Sequence, residues 1–477
     1  MMRYELNYTP KTQPLQYQIE ASNFIRDNSQ IALFDEMGLG KTKIVLDSLL
    51  ENLNEGVINC ALIICKKTLM HTWEYEIEKH THLHSIILGG NEREKDMKFM
   101  GNSPFYIINY DSIIKEVKRL RMLLKIKNAA IVLDESHRIK DPNSKAAQAI
   151  FLLAPVAKKR IILSGTPVAN RPYDIWSQFY FLDLGRLLGK NYESFKKEYS
   201  VNLKNNEFNN NKMQELRALI NSVSIRRLKQ DVLELPNKKF ESVYIKLSGK
   251  QKEMYTQLKE DLYLDISNMS GEEIRDNSEN ILKRLLRLNQ IASNPKLIDD
   301  NYNEEPAKFF VLDKLIEKIL SKNEKLIIWS SFIENIVMLK VRYKKYNAVC
   351  VFGKITIEDR HKAIKKFTDD AECKILIANP AAAREGLTLT VANNAIYLDR
   401  SFNLVDYVQS QDRIHRISQN KDCLIINILA SDTVDIYIDE IIYKKQNIAK
   451  FLQGDSDEIM PNKQFLTKEE LINILGG

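Results

Sequence analysis

The chain has 477 residues, 44% hydrophobic and 28% charged, which is the composition of an ordinary folded protein and excludes a disordered or fibrous one. Lys and Arg number 70 against 63 Asp and Glu, and the net charge of +7 permits a polyanionic partner without establishing one. The length suggests two large domains or three, at about 150 residues each. The opening MMRYELNYTPKTQ has no apolar centre and is not expected to be a signal peptide. The densest apolar runs fall far below the ~18 residues of a membrane helix, so no membrane partner is expected. The 5 Cys form no C-x-x-C pair, which argues against a disulfide framework or zinc knuckle and fits a reducing cytoplasm.

In chain order, short apolar runs at 31–34, 60–65, 105–108, 130–133 and 161–163 predict buried strands, with helical patterns such as 43–53 and 69–80 between them. Strands alternating with helices predict a parallel sheet covered on both faces. A second set at 326–329, 347–352, 374–378, 395–398 and 423–429 predicts a second lobe of the same α/β class. Polar segments at 202–211, 267–280 and 299–307 are expected to be solvated loops or linkers. Residues 281–291 place Leu at helical spacing with Lys283, Arg284 and Arg287 on other faces, as in a half-buried helix with a solvated basic side. His80, His82 and His84 alternate, but no Cys or acidic residue is placed to complete a zinc site, and a solvated turn accounts for them.

Two segments carry chemistry. DEMGLGKT (35–42) follows the first strand directly. Gly38 and Gly40 let the backbone curl its N–H groups toward phosphate oxygens, Lys41 can reach the β- and γ-phosphates, and the Thr42 hydroxyl can ligate Mg²⁺. A glycine turn opening a helix is the plain alternative for this segment alone. IVLDESH (131–137) is a buried strand presenting Asp134 and Glu135 at its carboxyl end. Asp134 can hold Mg²⁺ and Glu135 can polarise an attacking water, with His137 placed to couple this site to a neighbouring segment. Further on, Arg413 and Arg416 in QSQDRIHR are three apart, so on a helix they share a face and can neutralise developing phosphate charge. A solvated basic face explains that segment equally well by itself.

Taken together these segments resemble the Swi/Snf family of helicase-like ATPases, within helicase superfamily two. PLQYQI (14–19), DEMGLGKT, LIICKKTLMHTWEYEIEKH (62–80), IINYDSI (107–113), DESHRIKD (134–141) and LSGTPVANRPYDIWSQFYFLD (163–183) occur in family order. So do IRRLKQDVLELP (225–236), KLSGKQKEMY (246–255), LLRLNQIASNP (285–295), KLIIWSSF (325–332), EDRHKAIKKF (358–367), AREGLTL (383–389) and QSQDRIHRISQ (409–419). DEMGLGKT resembles the family's phosphate loop, including Asp35 where other phosphate loops have Gly, and DESHRIKD resembles the DEAH-type motif with Ser136 in place of Ala. Departures from the family are Phe34 for Ala, Arg384 and Glu385 for two glycines, Ser418 for Gly, and Phe402 and Leu404 for Trp and Pro.

The resemblance implies two RecA-like lobes, each a mostly parallel sheet flanked by helices, with helical insertions and ATP in the cleft between the lobes. It places lobe one at 1–235 with an insertion near 185–230, a helical linker at 236–305, lobe two at 306–454 and a tail with a short helix at 455–477. It implies that ATP and Mg²⁺ meet Gln18, Gly38, Leu39, Gly40, Lys41, Thr42, Gly386 and Gln409. It further implies catalysis by Lys41, Asp134, Glu135, Arg413 and Arg416, with coupling through His137, Ser164, Gly165 and Thr166. Double-stranded DNA is the implied partner, gripped by its backbone at Lys66, Lys67, Asn109, Tyr110, Ser330, Ser331 and Arg384. The activity implied is ATP-driven translocation on duplex DNA. A fork- or recombination-acting helicase or annealing enzyme, and a nucleotide-dependent DNA-binding adaptor, are the alternatives. With no appended domain identified, a compact bacterial or phage-type member is expected, cytoplasmic, with a nuclease or a replication or recombination protein as a conceivable partner.

Overall fold

The computed structural model describes residues 7–168, 170–200, 209–382, 387–457, 471–472 and 475. Seven strands form the first sheet: β1 (Gln30–Leu33), β2 (Cys60–Cys65), β3 (Ser85–Ile87), β4 (Phe105–Asn109), β5 (Ala129–Asp134), β6 (Lys159–Leu163) and β7 (Ser224–Ile225). Their order is β3-β4-β2-β5-β6-β1-β7, and every pairing is parallel. All six residues of β2, CALIIC, are buried, as expected of a strand with helices on both faces. Helices α1 (Gln16–Asp27), α2 (Lys41–Asn54), α3 (Met70–His80), α4 (Glu92–Met100) and α5 (Tyr110–Lys127) alternate with the strands. Ile44, Leu46, Trp73 and Ile77 from the helices join Ile31, Ile63, Ile107 and Val132 from the strands in one apolar core.

Register positions the site. Leu33 of β1 pairs with Leu163 of β6, and Leu163 pairs in turn with Asp134 of β5. Three neighbouring parallel strands therefore end on one line. The segments leaving them, beginning at Phe34, Ser164 and Glu135, emerge side by side, where ligands of open α/β sheets bind.

A second sheet comprises β8 (Lys238–Ile245), β9 (Leu326–Trp329), β10 (Val349–Val351), β11 (Ile375–Ala378), β12 (Asn394–Tyr397) and β13 (Cys423–Ala430). The order is β10-β11-β9-β12-β13-β8, again all parallel. The described residues divide into two compact units, one of 7–233 with 445–457 and the other of 234–444 with the short piece near 471. Among the described residues no helix is long and apolar enough to cross a membrane.

Three local expectations differ from the structure. Within 236–305, expected to be helical, β8 pairs with β13 along its whole length. KKFESVYI is an edge strand with mostly exposed side chains, so it lacks the apolar run that marks a buried one. Segment 267–280, expected to be a loop, is largely helical: Ser270 and Glu273 cap the helix Gly271–Asp276 reciprocally, Glu273 N–H donating to Ser270 Oγ and Ser270 N–H to the Glu273 carboxylate. The last helix, Val434–Gln453, was expected in lobe two, yet from Lys445 onward it belongs to the first unit. Lys445 Nζ donates to Asn170 Oδ1 at 3.0 Å, and the Arg217 guanidinium lies over the Phe451 ring. Of the Asn-rich run 202–211, residues 202–208 lie outside the described residues, and Asn209 caps the helix Asn210–Asn221.

Candidate nucleotide site

The chain leaves β1 through Phe34 and Asp35, both buried, and turns into α2 at Gly40. Gly38 and Gly40 have φ of 94° and 79°. At Gly40 a side chain is excluded twice: the backbone is left-handed, and a Cβ would stand 2.6 Å from Gln18 Nε2. No side chain caps the first turn of α2, so its N–H groups are directed at the mouth of the loop without a competing acceptor. Lys41 Nζ donates to the carbonyls of Asp35 (2.7 Å) and Glu36 (3.3 Å). Burial pushes the Lys41 ammonium below its ordinary value, while Glu135, Asp35 and Asp134 pull the other way. Gln18 donates from Nε2 to Leu39 O (3.2 Å) and accepts from Leu15 N–H (2.9 Å), and Tyr17 donates to the same Leu39 carbonyl. The expected base-reading residue thus rests against the phosphate loop itself.

Asp35, the unusual residue of the loop, is fully buried and meets the Arg227 guanidinium through two bonds, Nε to Oδ1 at 3.1 Å and Nη2 to Oδ2 at 2.5 Å. Arg227 also donates to the Tyr17 carbonyl, tying α1 to the loop. Its neighbour Arg226 donates to Phe34 O (2.5 Å) and grips Asp455 through Nε (2.7 Å) and Nη2 (2.6 Å). Neither arginine was singled out from sequence. The available signal was a lone acid in a loop that should otherwise be glycine, which requires a cation to be buried.

Asp134 ends β5 with Oδ2 accepting from Trp73 Nε1 at 2.9 Å. Burial and the adjacent Glu135 push its carboxyl up to about 6, opposed by Trp73, Lys41 and Lys66. Glu135 adopts φ 53°, a left-handed conformation that costs a non-glycine residue about 1–2 kcal/mol. His137 Nδ1 lies 3.3 Å from Glu135 Oε2 and 3.4 Å from Ser164 Oγ, so one ring touches both the acidic strand end and the segment after β6. Ser164 Oγ accepts from Thr166 N–H at 3.1 Å. A Cβ on Gly165 would lie 2.6 Å from Met37 Cγ and 3.6 Å from Lys41 Nζ, which sets this turn against the phosphate loop. Ser136 donates to Gln178 Oε1 at 2.7 Å, and Gln178 Nε2 donates to Pro167 O and Asp174 O; both side chains are fully buried. Trp73 and Gln178 are further residues that sequence reasoning passed over.

These residues fit a nucleotide carrying its own cation. Thr42 and Asp134 offer hard oxygens of the kind Mg²⁺ takes alongside substrate phosphates and water. Among the described residues no group of three or more His, Cys, Asp or Glu is placed to hold a metal alone. His80 ends α3, contacting Glu76 and Thr12, and His82 and His84 are exposed on the following turn.

The remaining expected residues are more varied. Lys66 and Lys67 follow β2, and Lys67 is exposed. Asn109 is buried and caps α5, accepting from the N–H groups of Asp111 and Ser112. Tyr110 is buried with its hydroxyl donating to Asp134 O at 2.8 Å, so that hydroxyl is not presented to a surface ligand. In the second unit Ser330 is buried, its hydroxyl donating to Asp399 Oδ2 (2.7 Å) while Ser331 N–H donates to Oδ1 (2.6 Å). Gln409 is buried in the helix Leu404–Gln411. Arg413 and Arg416 do not share a helix face, because the helix stops at Gln411 and i→i+3 turns follow. They converge otherwise: Arg413 Nη1 donates to Leu387 O (3.4 Å) and Arg416 Nη1 to Thr388 Oγ1 (3.0 Å). Arg384 and Gly386 lie outside the described residues.

A glycine loop running from a parallel strand into an uncapped helix, beside an acidic strand end, defines a P-loop nucleotide-binding unit. A model of the SNF2-related domain matches residues 17–297, and one of the helicase conserved C-terminal domain matches residues 307–418. The chain belongs to the SNF2 family. Each of its two units carries the mostly parallel, helix-flanked sheet of a RecA-like lobe. It is 29% identical over 450 residues to an uncharacterized ATP-dependent helicase of Mycoplasma genitalium, covering 91% of this chain and 42% of that one. It is 28% identical over 465 residues to a putative ATP-dependent helicase/translocase of Bacillus subtilis, covering 93% and 48%. The solved SWI2/SNF2 ATPase core of Sulfolobus solfataricus in complex with dsDNA aligns over 99% of both chains at 25% identity, with a TM-score of 0.45. The chain spans less than half the length of these curated relatives.

Proposed function

We propose that the chain is an ATP-dependent translocase on duplex DNA. The observation carrying this is the shared register of Leu33, Leu163 and Asp134, which sets the phosphate loop, the Ser164–Thr166 turn and the acidic strand end side by side. Lys41 exchanges its loop carbonyls for β- and γ-phosphate oxygens, with Gly38, Leu39 and Gly40 shaping the cradle and Gln18 beside the base. Thr42 and Asp134 would hold Mg²⁺, which when bound neutralises phosphate charge. Glu135 orients and deprotonates the attacking water. Arg413 and Arg416, held together on Leu387 and Thr388, stabilise charge on the γ-phosphate when the second unit is brought to the nucleotide. His137, in contact with both Glu135 and Ser164, transmits hydrolysis to Ser164, Gly165 and Thr166.

The name of the Bacillus relative, a putative ATP-dependent helicase/translocase, supports the nucleic-acid part of the reading. Lys66 and Lys67 are the proposed first-unit backbone grips. Asn109, Tyr110 and Ser330 are proposed to shape the track from beneath, with the Ser331 turn and Arg384 contributing from the second unit. Duplex DNA should raise ATP turnover many-fold, and binding should weaken steeply with salt. Equal stimulation by RNA removes the assignment to DNA, and efficient displacement of a plain duplex favours the strand-separating alternative. Lys41→Ala should abolish turnover, and Glu135→Gln should retain bound ATP uncut.

A further inference from the structure

Asp134 is held at two atoms by side chains from elsewhere in the first unit. Trp73 in α3, 2% exposed, donates to its carboxylate Oδ2, and Tyr110 at the start of α5, also 2% exposed, donates to its main-chain carbonyl. Both donors come from helices that follow strands on one side of β5: α3 follows β2, which pairs with β5, and α5 follows β4, which pairs with β2. Each donor also lies just behind a proposed DNA segment. Trp73 stands after Lys66 and Lys67, and Tyr110 is bonded directly to Asn109, which caps its helix. A buried indole N–H or phenol needs some acceptor. That two such groups, from two helices, choose the same residue is the feature that asks for a reason.

We infer that Trp73 and Tyr110 are positioning residues: they fix Asp134 for its cation and join it mechanically to the Lys66–Lys67 and Asn109 segments. Trp73 occupies one carboxylate oxygen, which selects one rotamer and leaves the other oxygen for the nucleotide-borne metal. Tyr110 holds the peptide that links Asp134 to the left-handed Glu135, so the backbone carrying both carboxylates is fixed. A shift of either helix start when a backbone phosphate docks moves the hydrogen-bond donor and thereby Asp134. The DNA limb of this inference rests on the translocase reading, while the metal limb does not.

The test uses the full chain with Trp73→Phe, which keeps one aromatic ring and removes the indole N–H, and Tyr110→Phe, which removes only the hydroxyl. ADP affinity is measured with and without Mg²⁺ by displacement of a fluorescent ADP, a readout independent of turnover. Trp73→Phe should weaken Mg²⁺-dependent binding about tenfold, the effect of losing one hydrogen bond to a charged group, with metal-free ADP affinity unchanged. Duplex-DNA affinity is then measured with and without Mg·ADP, and both variants should bring that ratio toward one, since such coupling is reciprocal. Equal weakening of metal-free and metal-bound ADP by Trp73→Phe, or a parental Mg²⁺ dependence in both variants, overturns the positioning role. If Trp73→Phe does not fold, Tyr110→Phe, which lacks only a hydroxyl, decides by the same two ratios. A parent protein that does not bind duplex DNA refutes the translocase reading and the DNA limb together, while the ADP measurement still decides the metal limb.

Discussion

Replacing Arg227 by Met should destabilise the first unit severely while leaving every proposed catalytic group in place. Asp35 has no exposed surface, and its carboxylate is satisfied by the two guanidinium bonds at 3.1 and 2.5 Å. Methionine fills a similar volume but strands the carboxylate among buried neighbours. Breaking a buried pair from one side costs about 3–5 kcal/mol. At about 2–4 °C per kcal/mol for a unit of this size, the melting point should fall by roughly 6–20 °C. Adding Asp35→Ala removes the stranded charge and should recover at least half of the loss, the signature of a coupled pair. Calorimetry on the parent, both single variants and the double variant closes the cycle, and a fluorescent nucleotide reports the loop directly. A melting point for Arg227→Met within about 2 °C of the parent, or a double variant no better than the single, would refute the claim that this ion pair holds the phosphate loop.

Gly40→Ala should cost about 1–2 kcal/mol from its left-handed backbone alone, and the close approach of Gln18 Nε2 should add to the loss; weakened nucleotide binding that Gln18→Ala partly restores is the check. Ser136→Ala leaves Gln178 Oε1 buried without its donor and should cost about 1–3 kcal/mol in urea unfolding. Burial depresses Lys159 from 10.5 to about 8, so its proton is disfavoured in the fold. Its contribution is full above 10.5 and is lost as pH falls through about 8; relative to Lys159→Met, the parent should therefore gain stability as pH rises across that window, and a flat difference refutes the assignment.

What the sequence exposed and what it hid divide along physical lines. The ten apolar runs are strands because a sheet buried on both faces demands continuous hydrophobicity, and that demand is written locally. The phosphate loop was legible for the same reason, since only glycine takes φ near 79° against a neighbouring Gln18. Strand β8 was hidden because an edge strand needs little burial, and β7 because two residues carry no period. Arg413 and Arg416 were expected on a helix because a spacing of three cannot reveal that the helix has already ended at Gln411. Arg226 and Arg227 were the largest omission, because their partners lie 229 and 192 residues away and no local pattern encodes a pairing of that span.

Those distances bear on how the protein is born. The phosphate loop is made well before residue 455, but Arg226, which holds its Phe34 carbonyl, is itself held by Asp455, and Arg217 by Ser456 and Asp457. Synthesis proceeds at about 5–20 residues per second, and domains tend to fold as they emerge. The first unit therefore waits some tens of seconds for residues 455–457, while residues 234–444 of the second unit are made in between. A ribosome-stalled chain ending before residue 455 should carry the whole glycine loop and yet present it slack, so nucleotide capture should appear only once residues 455–457 have been added.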